Sequence, residues 1–435
     1  MPRTAFALTA LFGILSTPLT PSHASSSSSA EPVNPVVQWN RVLLTIVRTA
    51  GAQPATVHPT RSFAIMHAAI YDAVNSIDRT HRRYLVRVPG VSRRASQEAA
   101  AASAGHDSLV ALYPAFQSML DDQLAISLEQ IPDGPEKAEG IRIGQTVARR
   151  ILAIRSHDRS DAEPIPYVFG TEPGDYQSTP PNFPPQPQFT HWALVTPFAL
   201  GRANQFRPGA PPVLPGHAYA EAFNEVKTLG IGGAGSAQDD NALIGRFWNA
   251  PIQNYWNEIT QTATLGHQLS TASAARLFAL VDLAIADGVI AFYDAKYTYN
   301  FWRPVTAIRN ADPNINPDTL PDPDWLPLVV TTAPDPSYPG AHAAISGIGG
   351  TVLTSFFERD DFDFDVTSEV LPDVQRTFST FTAAMEEASA SRIFAGQHFR
   401  FDENAGLRLG ERIADWVVGH FLLPRGGEHD SDDSP

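Results

Sequence analysis

A mainly α-helical fold, assembled as helical bundles joined by long proline-rich loops, follows from three features of this 435-residue sequence. Apolar residues recur at helical spacing along most of the chain. Thirteen of the 37 prolines fall between Pro164 and Pro215, a stretch that can be neither a continuous helix nor a central strand. Alternating strand patterns are scarce, and only residues 328–332 read as a short strand.

Taken in order, Met1-Pro2-Arg3 and the apolar run over 5–19 read as a secretory signal, with Ser22-His23-Ala24 as a small-x-small cleavage site. This places a signal peptide at 1–24, a serine-rich linker at 25–35 and the mature protein outside the cytoplasm, secreted or periplasmic. Helical spacing then recurs over 39–50, 63–77, 95–113, 117–130 and 136–156, making an N-terminal helical half at 36–160. The proline-rich segment, 161–216, reads as an extended wrap with Phe183, Phe189, Trp192, Phe198 and Phe206 as apolar anchors. Helices resume at 217–229, 241–263 and 271–293, and a catalytic helical bundle is expected over 217–424. The helix at 271–293 is apolar nearly all round and therefore buried, so its Asp282 and Asp287 need partners. They either brace site arginines or cap backbone groups. Further helices are expected at 343–357, 381–391 and 404–423, followed by a solvated acidic tail at 425–435.

Composition narrows the function. With 43% hydrophobic and 18% charged residues the chain can bury a sizeable core. The balance of 31 basic and 46 acidic residues, a net charge of −15, argues against nucleic acid and anionic membranes as partners. Past the signal no segment is apolar for long enough to insert stably in a bilayer. The absence of cysteine excludes disulfides, thiolate nucleophiles and Cys-ligated zinc.

Three islands between Lys296 and Asp402 carry the chemistry: Lys296-x6-Arg303-Pro304, then Ser337-Tyr338-Pro339-Gly340-Ala341-His342, then Ser391-Arg392-x5-His398-x3-Asp402. Arginine offers a planar fork of N–H groups suited to a tetrahedral oxyanion, and lysine adds a point charge. Gly340 and Ala341 precede an apolar helical run, where free backbone N–H groups favour an anion. A histidine can move a proton near neutral pH or bond covalently to phosphorus or a metal. The pieces specify a buried oxyanion site. Other patterns weigh less. Gly230-x-Gly232-x-x-Gly235 follows a helix instead of a strand and reads as a loop, not a nucleotide site. His217, Glu221 and Glu225 could hold a divalent ion but read as a solvated face. His67 and Asp72 read as satisfied core groups. Tyr293 either lines the approach to the anion or packs in the core.

At these residues the chain resembles the vanadium-dependent haloperoxidases and the type 2 phosphatidic acid phosphatase superfamily that contains them. That pattern is Lys-x6-Arg-Pro, Pro-Ser-Gly-His and Ser-Arg-x5-His-x3-Asp. The first and third parts are intact, and Phe301-Trp302-Arg303-Pro304 and Ser391-Arg392-Ile393-Phe394 look like the haloperoxidase branch. The likeness is strong over about 275–420. It is weaker elsewhere, where Arg61 to Asn75 resembles the N-terminal helices of secreted bacterial homologues. It implies a mainly α fold of the haloperoxidase/acid phosphatase type. Lys296, Arg303 and Arg392, with the Gly340 and Ala341 backbone, would hold vanadate or phosphate. His398 would be the vanadium ligand or the phosphatase nucleophile, His342 the acid–base residue, and Asp402 the group orienting His398. The chain departs from the pattern at Pro339-Gly340-Ala341-His342, where the usual serine is absent. Losing that donor would cost roughly 1.5–3 kcal/mol of anion binding.

The resemblance implies a vanadate-dependent haloperoxidase that oxidises halide with hydrogen peroxide to hypohalous acid, Lys296 polarising the peroxide. The alternatives are an acid phosphatase acting on a phosphate ester through a His398 nucleophile without a cofactor, and a degenerate oxyanion-binding protein. The first two need the same cradle, so these residues leave them open.

Overall fold

The computed structural model describes residues 34–233 and 239–426. The predicted signal peptide, nearly all of the linker, residues 234–238 of the glycine-rich loop and residues 427–435 of the acidic tail lie outside the described residues. Helix dominates. α1 (Pro35–Arg48), α2 (Thr60–Asp78), α3 (Gln97–Leu112), α4 (Gln117–Glu129) and α5 (Pro135–Arg155) make the N-terminal half. The second half holds α6 (His217–Leu229), α7 (Asp240–Phe247), α8 (Ile252–Gly266), α9 (Thr271–Tyr299), α10 (Pro304–Arg309), α11 (Ala341–Phe357), α12 (Phe381–Phe394) and α13 (Arg400–His420). The described residues from Asn34 onward belong to one compact unit, in which α2 packs along α9 and α11 along α13. The two halves therefore share a core.

Local signals start these helices. The Asn34 side chain accepts from the Val36 N–H at 3.0 Å with Pro35 at the first helical position, and Ser96 caps α3 through the Ala99 N–H at 3.0 Å. Ser270 opens α9, which is buried almost throughout. α9 continues two turns beyond the expected end near 293, because Tyr293, Ala295 and Lys296 remain packed. It stops only where Asn300 adopts a left-handed conformation, φ 48°. The helix expected over 241–263 is instead two, α7 and α8, separated at Pro251, which lacks the N–H a continuous helix needs.

The strand expected at 328–332 does not form. Two strands occur elsewhere, β1 (Asp361–Thr367) and β2 (Gln375–Thr380), paired antiparallel with Phe364 opposite Phe378. Asp361-Phe362-Asp363-Phe364-Asp365-Val366 alternates at the strand period, so this signal was present in the sequence. Phe364 and Val366 are buried while Asp365 faces solvent.

The proline-rich segment wraps the body in extended form. Its backbone bonds to the site-bearing loops: Tyr176 N–H to Asn300 O at 2.7 Å, Trp302 N–H to Gly174 O at 2.9 Å, and Gln188 N–H to Pro334 O at 2.8 Å. Trp192 and Phe198 are buried and Phe189 packs against the core, but Phe183 is 60% exposed and anchors nothing. The wrap is held chiefly by Asp287 of α9, whose carboxylate accepts from the N–H groups of Phe198, Ala199 and Leu200 at 2.6–2.7 Å. Asp72 of α2 does the same for Tyr84, Leu85 and Val86 at 2.7–2.9 Å. Burial pushes each carboxyl up to about 6 while the three N–H donors oppose that rise.

Asp282 neither braces an arginine nor caps backbone. It accepts from Asn257 Nδ2 at 3.1 Å and lies 3.6 Å from His67 Nε2. Both belong to a buried polar cluster with Asn40, whose amide reaches His67 Nε2 at 2.9 Å. Burial pushes Asp282 up to about 8, partly offset by the Asn257 amide.

Removing the Asp287 carboxylate leaves three backbone donors buried and unpaired. Asp287→Ala should lose at least roughly 1–3 kcal/mol, with limited proteolysis cutting first within 161–216. For Asp282, folding holds a proton that the unfolded chain releases above about pH 4. Its contribution to stability is therefore lost as pH rises from about 4 to about 8. Asp282→Asn should show a smaller fall in Tm between pH 5 and pH 8.5 than the wild type.

Candidate functional site

The three sequence islands converge at one end of the second half. Lys296 comes from the last turns of α9 and Arg303 from the residue that starts α10, held extended (φ −85°, ψ 154°) by the following Pro304. His342 lies on the first turn of α11, Arg392 near the end of α12, and His398 in the tight connection to α13. That connection turns on Gly396, at φ 75°, where a side chain would also strike the Gly230 carbonyl at 2.5 Å.

His398 is the centre of the arrangement. Its Nδ1 faces Asp402 Oδ2 at 3.2 Å, Ser337 Oγ at 3.4 Å and Glu403 Oε1 at 3.7 Å. That oxygen-rich side assigns the proton to Nδ1, so Nε2 presents a lone pair, toward Arg303 Nη1 at 2.9 Å. Burial, then Arg303, Lys296 and Arg392, lowers its pKa well below the usual histidine value, so the ring is neutral near pH 7. Asp402 is fully buried; it accepts from Ser337 Oγ at 2.5 Å and from the Phe399 N–H at 3.0 Å. Burial raises its pKa to about 6, with those two donors opposing.

Two of the three cations are neutralised by a residue that the sequence did not single out. Asp335 Oδ1 lies 2.5 Å from Arg303 Nη2 and 2.9 Å from Lys296 Nζ. Burial alone would raise its pKa, but Lys296 and Arg303 hold it below the usual carboxylate range. Burial pulls Lys296 down to about 8, with Asp335 offsetting part of the fall. Its ammonium also donates to the Pro336 and Ser337 carbonyls. Arg392 donates to Asn249 Oδ1 at 3.1 Å, and its Nε is buried without a partner. Burial lowers Arg392 to about 10, opposed chiefly by Glu403, so it stays charged at neutral pH.

His342 Nε2 lies 3.0 Å from the Trp248 carbonyl and so carries hydrogen, which leaves Nδ1 as the basic nitrogen. Burial and then Arg392 push its pKa well below the usual value. The Gly340 N–H, expected in the cradle, donates instead to Asp402 O at 2.9 Å. Ala341 starts α11, and its N–H belongs to the first turn, where no intrahelical acceptor serves it.

A cavity of about 470 Å³ opens onto this cluster, with Arg303, Ala341, His342, Arg392 and His398 on its floor. Its walls include His58, Phe292, Tyr293 and, from the wrap, Gln188 and Phe189. Tyr293 thus lines the approach while packing 5.2 Å from Phe189. Lys296 and Asp402 stand behind the cavity surface. His217 and Glu221 are exposed and Glu225 is taken by Arg400 at 2.6 Å, so that helix face forms a separate surface cluster. Asp335, Asn249, Ser337 and Glu403 complete the site. Ser337 lay inside a recognised island, but Asn249 sits in the break between α7 and α8 and Asp335 between two loop prolines, where no periodicity marks them.

Comparison with known proteins gives one consistent picture. Residues 276–424 match the family described as the VCPO second helical-bundle domain. The vanadium chloroperoxidase of Curvularia inaequalis is 25% identical, the match covering 86% of this chain and 79% of that protein. Among solved structures, a bacterial vanadium-dependent iodoperoxidase superposes with a TM-score of 0.73 at 24% identity, covering 90% of this chain and 96% of that one. A holo-type bacterial vanadium-dependent chloroperoxidase gives a TM-score of 0.66 at 16% identity, over the same shares. At those identities the two structures speak to the fold, which is the same helical one.

Asp335→Asn should leave two buried cations short of their counter-charge and destabilise the unliganded protein by roughly 3–5 kcal/mol. Added phosphate neutralises the same groups, so it should raise the Tm of this variant by more than it raises that of the wild type.

Proposed function

From the premise that this chain belongs to the vanadium-dependent haloperoxidases of the type 2 phosphatidic acid phosphatase superfamily, we propose that it uses vanadate and hydrogen peroxide to oxidise a halide to hypohalous acid. The observation that carries the reading is His398. A neutral imidazole whose unprotonated Nε2 is met only by Arg303 Nη1, at 2.9 Å, lines the cavity beside two guanidinium groups, one with an unpartnered buried N–H. These groups fit an oxyanion. Among the described residues, no cluster of three or more His, Asp or Glu could hold a metal cation by itself.

His398 Nε2 would ligate vanadium, while Arg303, Arg392 and the Ala341 N–H would hold the oxygens. Bound vanadate supplies Lewis-acid activation of peroxide toward halide, with no change in the metal's oxidation state. Asp402 keeps the His398 proton on Nδ1, which preserves the lone pair where it is needed. His342, neutral near pH 7, takes the proton that hydrogen peroxide gives up, at Nδ1. Lys296, paired with Asp335 at 2.9 Å, would add positive charge to the cradle and favour negative charge developing there. Phe189, Phe292 and Tyr293 give the approach an apolar, aromatic lining. Export through the N-terminal apolar run is part of the same proposal, and among the described residues no helix is long and apolar enough to cross a membrane.

Purified metal-free protein, given orthovanadate, hydrogen peroxide and bromide or chloride, should halogenate a phenolic dye. His398→Ala should reduce the rate to background. Release of phosphate from a generic ester without vanadate, inhibited by vanadate and lost in the same variant, would replace the proposal with the phosphatase reading.

A further inference from the structure

Position 340 is a glycine because another side chain occupies its space. A Cβ built on Gly340 would lie 2.1 Å from Glu403 Oε1 and 2.7 Å from Glu403 Cδ, far inside contact distance. The backbone cannot give way easily. Gly340 N–H is bonded to Asp402 O at 2.9 Å, and the Gly340 carbonyl is packed so closely on α13 that a Cβ at Gly406 would meet it at 2.3 Å. Glu403 is 1% exposed, its Oε2 has only a long contact of 3.4 Å with Ser389 Oγ, and its Oε1 has no hydrogen-bond partner. That orphaned oxygen lies 3.7 Å from His398 Nδ1. An unpaired carboxyl oxygen buried among cradle residues is costly unless a ligand completes it. It also stands where the superfamily pattern puts the first atoms of a serine side chain.

We propose that Glu403 is an oxyanion-binding residue that takes the place of the side chain missing at position 340, one carboxyl oxygen sharing a single proton with an oxygen of the bound anion. The inference rests on the oxyanion reading of the site. No proton need be gained or lost overall. Phosphate and vanadate carry ionisable hydroxyls, so the hydrogen bond forms whichever oxygen holds the proton. Glycine at 340 and glutamate at 403 are then two halves of one solution, and Gly340→Ser alone does not restore the familiar cradle, because the hydroxyl would have to displace the carboxyl.

Binding of phosphate and of orthovanadate to the full chain, measured by isothermal titration calorimetry with Tm as a check on folding, tests this without any turnover. Glu403→Met keeps the bulk and removes the polar group, and should weaken both anions about tenfold or more. Glu403→Ala combined with Gly340→Ser should bind within about threefold of the wild type. Glu403→Ala with Gly340→Ala refills the space without a hydroxyl and should stay weak. Wild-type affinity in Glu403→Met, equal recovery in the two double variants, or tighter binding in Gly340→Ser alone would overturn the inference. If His398→Ala still abolished binding in that case, the oxyanion reading would stand. Failure of the wild type to bind either anion would overturn both.

Discussion

Three positive side chains without bulk water around them are the condition to which the rest of this molecule answers. Lys296 and Arg303 are essentially fully buried and Arg392 is only 6% exposed. Isolated, each would cost several kcal/mol to remove from water. Asp335 meets the demand for two of them, and its acidity is maintained by the cations it serves. The third, Arg392, is left with Asn249, an unpartnered Nε and the more distant Glu403. The unliganded site therefore has unequal balance, satisfied on the Asp335 side and short of negative charge on the cavity side. An oxyanion entering the cavity would supply what is short there.

The same physical device recurs at three scales. A helix carries a buried aspartate whose oxygens collect the otherwise unpaired N–H groups of an irregular segment. Asp72 secures the 84–86 stretch and Asp287 secures 198–200. Asp402, at the start of α13, takes the Phe399 N–H while orienting the His398 ring. Chain that is too rich in proline to form helix can therefore be fastened to the bundle through its backbone. This matters for function because the wrap supplies Gln188 and Phe189 to the cavity wall, and Gln188 is tied by its N–H to Pro334, the neighbour of Asp335. The approach to the site and the counter-charge of its cations are braced by one another.

Much of this was legible in the sequence, and the exceptions have identifiable causes. The Lys296–Arg303–Pro304 and Ser391–Arg392–His398–Asp402 spacings named most of the cluster, since short loops between helices leave little choice about where those side chains emerge. The β1–β2 hairpin was missed although Phe362, Phe364 and Val366 alternate with aspartates, because acidic alternation reads readily as loop. Phe183 resembled the other aromatic anchors of the wrap, yet it is exposed, since composition does not say which side of an extended chain faces the core.

What the sequence determined by itself was the helical class, the wrap between two helical halves, and the set of cations and histidines that gather at one place. Those are properties of periodicity, of proline chemistry and of charged residues at fixed local spacing. Only the tertiary structure decided the partners. Asp335 reaches Arg303 across 32 residues, Asn249 reaches Arg392 across 143, and Asp287 holds a loop 87–89 residues away. It also turned the Gly340 N–H to the Asp402 carbonyl and put the Glu403 carboxyl where a side chain at position 340 would lie. Pairing of buried charges and exclusion of overlapping atoms depend on distances through space, which a linear order of residues does not contain.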